Sequence, residues 1–322
     1  MLAKPDIRGR HVFTLTLALG VGGLSAAAAA VLTAAAAVHQ TSAGAGHILL
    51  GGLRLTYPTA NAAGLLLLAV GTVGGLEVAA VIRASWRQLR GYRGLRLALG
   101  RARPLDVDPT VKVIPDPRPQ AFCAGYLRPE VYVSQRAVEL LTEAELGAVL
   151  AHENHHRRVR DPLRLAAGRI LSDALFFLPG LRPLSKRYAD LAELSADRAA
   201  VHASEGKAAP LASALLVFDE HGPPGVTGVS PERVDSLLGE PVSWKIPVLL
   251  LIGSVAALAA LGALLFSLSP AAWAHATFNL PLLSSAPCVV VSGLLALAGC
   301  LAFARRRTRT ARSSRRALSY SA

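Results

Sequence analysis

Four long apolar runs constrain this chain more than any other feature. They lie at about residues 12–38, 62–82, 246–266 and 282–304. Each is long enough to cross a bilayer as an α-helix, which takes about 20 apolar residues. The composition agrees, since 52% of the 322 residues are hydrophobic, too apolar a balance for an ordinary soluble domain. The basic start (Lys4, Arg8, Arg10) and the Ala-rich end of the first run have the form of a signal peptide. The run is too long for a signal h-region and more runs follow, so it reads as the first span.

Arginine sets the orientation. Arg83, Arg87, Arg90, Arg93, Arg96, Arg101 and Arg103 follow the second run, and seven more arginines, Arg305 to Arg316, follow the fourth. Such clusters mark the cytoplasmic side of a span. The expected protein is a multi-pass cell-membrane protein, with both termini and residues 84–245 in the cytoplasm. Residues 1–83 and 246–304 are the membrane regions, and 305–322 a basic tail. The same topology accounts for the net charge of +13, so the lipid bilayer is the expected partner and no direct nucleic-acid binding is expected. Cys123, Cys288 and Cys300 are scattered and make no disulfide framework or cysteine metal cluster. Residues 39–60 read as a short external loop. Gly71 and Gly75 have the spacing of close helix packing, and Glu77 reads as reaching the inner headgroups.

The chemistry lies between the second and third runs. Thr142 with Glu145 forms a capping box, and Leu141 can staple onto Leu146, so a helix is expected from Glu143 to about Arg160. His152-Glu153-Asn154-His155-His156 falls on it. His152 and His156 are four apart, which puts both imidazoles on one face. Two such nitrogens suit Zn²⁺, and Glu153 beside the first can act as general base. His155 points about 100° away and is read as non-ligating. Asp161-Pro162 reads as the end of the helix. Residues 163–178 then form an amphipathic helix that Pro179-Gly180 breaks, and a further helix runs from Lys186 to about His202. On it, Glu193 and Asp197 share a face. Glu193 can give a third ligand, and Asp197 can accept the free N–H of a ligand His. His202 could steady an oxyanion but reads more readily as a plain surface His, Tyr188 is a comparable candidate, and neither is counted in the expected site. Residues 222–241 read as a polar linker.

Ahead of the zinc helix, Ala121-Phe122-Cys123-Ala124 and Val131-Tyr132-Val133 read as two short strands about a turn at 125–129. The first is the candidate edge that would take up an extended peptide substrate. Cys123 there reads as a small buried hydrophobe.

Leu175-Phe176-Phe177-Leu178-Pro179, the Glu193-to-Asp197 block, the strand pair from Phe122 to Val133 and the flanking spans resemble the BlaR/MecR-type membrane zinc metallopeptidases. The resemblance covers about residues 110–205 by motif. It implies a mainly α membrane protein with four transmembrane helices and a small cytoplasmic α/β gluzincin-type protease domain. It also implies one zinc per chain held by His152, His156 and Glu193, Glu153 as base, and a cytoplasmic protein substrate, often a transcriptional repressor. The antibiotic-sensing members carry a penicillin-binding sensor after the last span, whereas this chain ends in a basic tail. The alternatives are an HtpX-like quality-control protease and a non-catalytic membrane receptor with structural zinc. A site-2-type intramembrane protease is disfavoured, because Arg157, Arg158 and Arg160 sit beside the motif.

Overall fold

The structure is a computed structural model that describes residues 7–36, 38–39, 46–50, 53–57, 59–106, 108–222, 230–240, 246–267 and 278–279. In chain order the elements are α1 (Ile7–Ala36), β1 (Val38–His39), β2 (Gly46–Leu50), β3 (Leu53–Tyr57), β4 (Thr59–Ala60), α2 (Ala62–Ala98), β5 (Arg103–Pro104), β6 (Val111–Ile114), β7 (Ala121–Ala124) and β8 (Glu130–Ser134). They continue with α3 (Gln135–Leu140), α4 (Glu143–Val159), α5 (Asp161–Ala174), α6 (Leu181–Ala203), α7 (Ala209–His221), α8 (Pro231–Leu237), α9 (Val248–Ser267) and β9 (Phe278–Asn279). The protein is mainly helical. Three of its helices, α1, α2 and α9, are long and apolar enough to cross a membrane. The expected fourth span at 282–304 lies outside the described residues.

The chain divides into two compact units. One comprises residues 1–28 and 74–264, the other 29–73 and 265–322. In the second unit, residues expected to form a plain loop instead contain strands. β2 and β3 pair antiparallel, Gly46 opposite Tyr57 and Leu50 opposite Leu53. Gly71 belongs to the same unit and faces Ala34, whose Cβ lies 2.2 Å from where a Cβ on residue 71 would stand. A side chain there would force the two helices apart.

The first unit carries the chemistry. Its sheet has the order β5-β6-β8-β7. β6 runs parallel to β8, while β7 lies antiparallel to β8 with Phe122 opposite Tyr132. β7 is therefore an edge. Gly125 turns the β7–β8 connection at φ +117°, a backbone state that side chains disfavour. Val131 and Val133 point under the sheet and pack with Leu141, Val149 and Phe218, so β8, α4 and α7 share one core. The Ser213 hydroxyl of α7 also donates to Glu145 of α4.

A second core lies among α1, α5 and α6. Val12 and Leu19 of α1 meet Leu171, Leu184, Leu191 and Leu194. Here the structure corrects the sequence reading. Asp161-Pro162 does not close α4 but opens α5, with Pro in the first turn, where its missing N–H costs nothing. The break falls one residue earlier, at Arg160, which is left-handed at φ 57°. α5 ends at Ala174, before the Pro179-Gly180 pair expected to break it, and α6 begins at Leu181. The α5–α6 turn sits against α1 and α9. Leu175 and Leu178 crowd Gly23, and the Gly180 N–H donates to Ser254 Oγ at 2.8 Å. Glu77, expected at the headgroups, is 2% exposed, and its carboxylate has no hydrogen-bond partner among the described residues.

Candidate metal centre

α4 begins as its sequence dictates. Thr142 accepts from the Glu145 N–H and the Glu145 carboxylate from the Thr142 N–H, so the capping box is closed. Two and a half turns later His152 and His156 emerge side by side, each 7% exposed. Their Nε2 atoms are 3.1 Å apart. Glu193 arrives from α6, with one oxygen 3.5 Å from His152 Nε2 and the other 3.6 Å from His156 Nε2. Donors about 2.1 Å from a common tetrahedral centre lie roughly 3.4 Å from one another. The three residues therefore could hold one metal ion, and their two nitrogens and one carboxylate are a donor set that zinc accepts.

A ring of acids surrounds these donors. Asp161 Oδ2 lies 2.8 Å from His156 Nδ1 and also takes the Tyr188 hydroxyl on Oδ1. Asp197 Oδ1 lies 3.0 Å from His152 Nδ1, off the line of a hydrogen bond. Burial opposes charge on His152, yet the Asp197 and Glu193 carboxylates outweigh it and push the imidazole up to about 10. Burial likewise opposes charge on Glu193, but His152 and His156 hold its carboxyl down at about 2. The carboxylates about His152 thus favour positive charge at that imidazole.

Arg233 of α8 completes the ring. Its Nε and Nη2 donate to the two oxygens of Asp197 at 2.8 and 2.6 Å, and its Nη1 stands 3.3 Å from Glu193. A second pair, Arg187 to Glu232 at 2.6 and 2.9 Å, fastens α8 to α6. This element replaces part of the expected polar linker. Neither Asp161 nor Arg233 was picked out by the sequence reading. Ser230-Pro231-Glu232 is a helix-start signature that would have flagged α8. The Asp161 contact had no local signal, because it depends on the left-handed turn at Arg160.

A groove of about 510 Å³ opens beside the donors. Glu153 lines it, as do Gln120–Ala124, and Tyr92 and Leu95 of α2 form part of its wall. The Tyr92 and Tyr126 rings pack at 4.7 Å. The candidate edge strand Ala121, Phe122, Cys123 and Ala124 is therefore beside the metal donors. Burial first, and then the Glu153 carboxylate, push the Cys123 thiol up to about 12, which leaves it a poor nucleophile. His202 is exposed and lies outside the groove, and His155 is not among the converging donors.

Two His and a Glu converging on one point, with a second Glu adjoining the first His, are the equipment of a metallopeptidase. The chain belongs to peptidase family M48, whose description matches residues 93–267. It is also similar to a "Protease HtpX homolog" of Lactobacillus acidophilus, with 41% identity over 76 residues. That match takes in 23% of this chain and spans a quarter (25%) of the relative's length.

Proposed function

We propose that this protein is an integral-membrane, zinc-dependent endopeptidase with one zinc per chain. The convergence of His152, His156 and Glu193 beside Glu153, in a groove walled by a sheet edge, carries the reading. Zinc supplies Lewis acidity for the scissile carbonyl and the attacking water. The chain's own groups do the rest. β7 (Ala121 to Ala124) offers unpaired backbone groups to which an extended substrate adds as a strand. Glu153 takes the proton of the attacking water and returns it to the leaving amine. Asp161 holds the His156 imidazole in orientation, and Asp197, itself fixed by Arg233, sets a negative charge beside His152. The catalytic domain, residues 84–245, lies in the cytoplasm between the membrane regions 1–83 and 246–304.

Two substrate readings follow. Relatedness to the HtpX homolog favours a quality-control protease that cuts many damaged membrane proteins. The BlaR/MecR-type features favour a regulatory protease that cuts one cytoplasmic protein, such as a transcriptional repressor, at a defined bond. New protein N-termini, compared between cells carrying wild type and Glu153→Gln, test both. Many dependent cleavages support the first reading and one or few the second. None in any condition, with purified wild type also inert, would reduce the protein to a receptor with structural zinc.

A further inference from the structure

A second cavity, of about 340 Å³, lies behind the catalytic helix. Its walls come from the first turn of α1 (Gly9, Arg10), the α4–α5 corner (Arg158, Arg160, Arg164) and α6 (Ser195). We propose that it binds an anionic phosphate group, as carried by an acidic phospholipid headgroup or a soluble phosphate.

Four arginines, Arg10, Arg158, Arg160 and Arg164, line one small space, the first three of them exposed to solvent. Arg158 and Arg160 pair with no carboxylate among the described residues. The one acid in the wall, Asp161, is already engaged by His156 and Tyr188. An anion entering there would meet several guanidinium forks, whose geometry matches phosphate oxygens. The left-handed Arg160 turns the corner that sets Arg158 and Arg164 about the same cavity. Arg164 is held over the Phe13 ring of α1 at 5.6 Å. Because α1 is a candidate span that begins at this wall, the cavity lies near where a helix meets the lipid surface, a position where basic pockets take headgroups. Asp161 borders this cavity and the metal groove alike, so an occupant would touch the residue that steadies His156.

The test is native mass spectrometry of the full-length, metal-loaded protein in detergent, titrated with phosphatidylglycerol, phosphatidylcholine or inorganic phosphate. Wild type should bind its first phosphatidylglycerol about tenfold or more tightly than phosphatidylcholine. Arg158→Gln plus Arg160→Asn should remove that preference, Asn being chosen because it tolerates the left-handed backbone. Arg136→Gln on α3, outside the cavity, should keep it. The single variants and Arg10→Gln replace the double variant if it melts early. Displacement of the lipid by millimolar phosphate assigns the site to a soluble phosphate, and its persistence assigns the site to a headgroup. A wild type that prefers neither the acidic lipid nor phosphate overturns the proposal, as does an undiminished preference in the folded variants.

Discussion

Arg233 meets Asp197 fork to fork, both oxygens of the acid taken by two nitrogens of one guanidinium at 2.6 and 2.8 Å. The acid is 1% and the arginine 6% exposed. A buried pair of this kind is costly to split, because the survivor keeps its charge without a partner. Arg233→Ala should lower stability by about 3–5 kcal/mol and reduce metal content, measured by thermal unfolding and by zinc per chain. Arg233→Lys should recover only part, since an ammonium cannot make the two parallel bonds. A fully stable, zinc-replete Arg233→Ala protein would mean that α8 is an accessory to the centre.

Asp161 Oδ2 lies 2.8 Å from His156 Nδ1, so on the proposed reading it orients that imidazole as a ligand. Asp161→Asn should weaken zinc binding by about 10–100-fold, the usual cost of losing such a partner, while leaving the fold intact. Tyr188→Phe removes only the hydroxyl on the other oxygen, so its effect should be smaller. Competition with a chromogenic chelator gives both constants, and the reverse order would reassign the orienting role.

Glu153 lines the groove without being one of the three converging donors. Glu153→Gln should therefore keep zinc at the wild-type level and lower peptide hydrolysis by about 10²–10⁴-fold. His156→Ala should lose metal and activity together. Hydrolysis surviving in the Gln variant would remove Glu153 from the reaction.

Zinc affinity should rise with pH. With His152 raised to about 10 in the metal-free protein, the imidazole carries a proton at neutral pH, and a ligand must be neutral to bind. Metal uptake then releases that proton, so lowering the pH works against binding by about tenfold per unit for each proton released. Chelator competition at pH 6, 7 and 8 measures the slope. An affinity independent of pH would mean that His152 is already neutral before zinc arrives.

What could be read in the sequence was local. The Thr142 capping box, the four-residue spacing of His152 and His156 and that of Glu193 and Asp197 are properties of single helices, visible wherever helical periodicity holds. The β7–β8 pair was legible for a similar reason, because a glycine turn separates two short apolar runs. The misses involve groups brought together over distance or through an unexpected backbone state. Arg233 reaches Asp197 across 36 positions, and its short helix was masked by a polar segment. The role of Asp161 hinges on a non-glycine residue adopting positive φ, which no propensity anticipates. The long apolar runs revealed the three candidate spans, but could not say that α2 continues past its lipid-length portion to Ala98 and walls the groove.

The bond from Gly180 to Ser254 has a further consequence. Ser254 lies six residues past the start of α9, about 9 Å along its axis, so the turn it holds is anchored to a helix built to sit in hydrocarbon. From that anchor the fourteen residues of α5 run back about 21 Å to Asp161 and the candidate metal donors. On the proposed reading the fold would work as a ruler whose zero is the membrane, holding the donor cluster at a fixed distance from it.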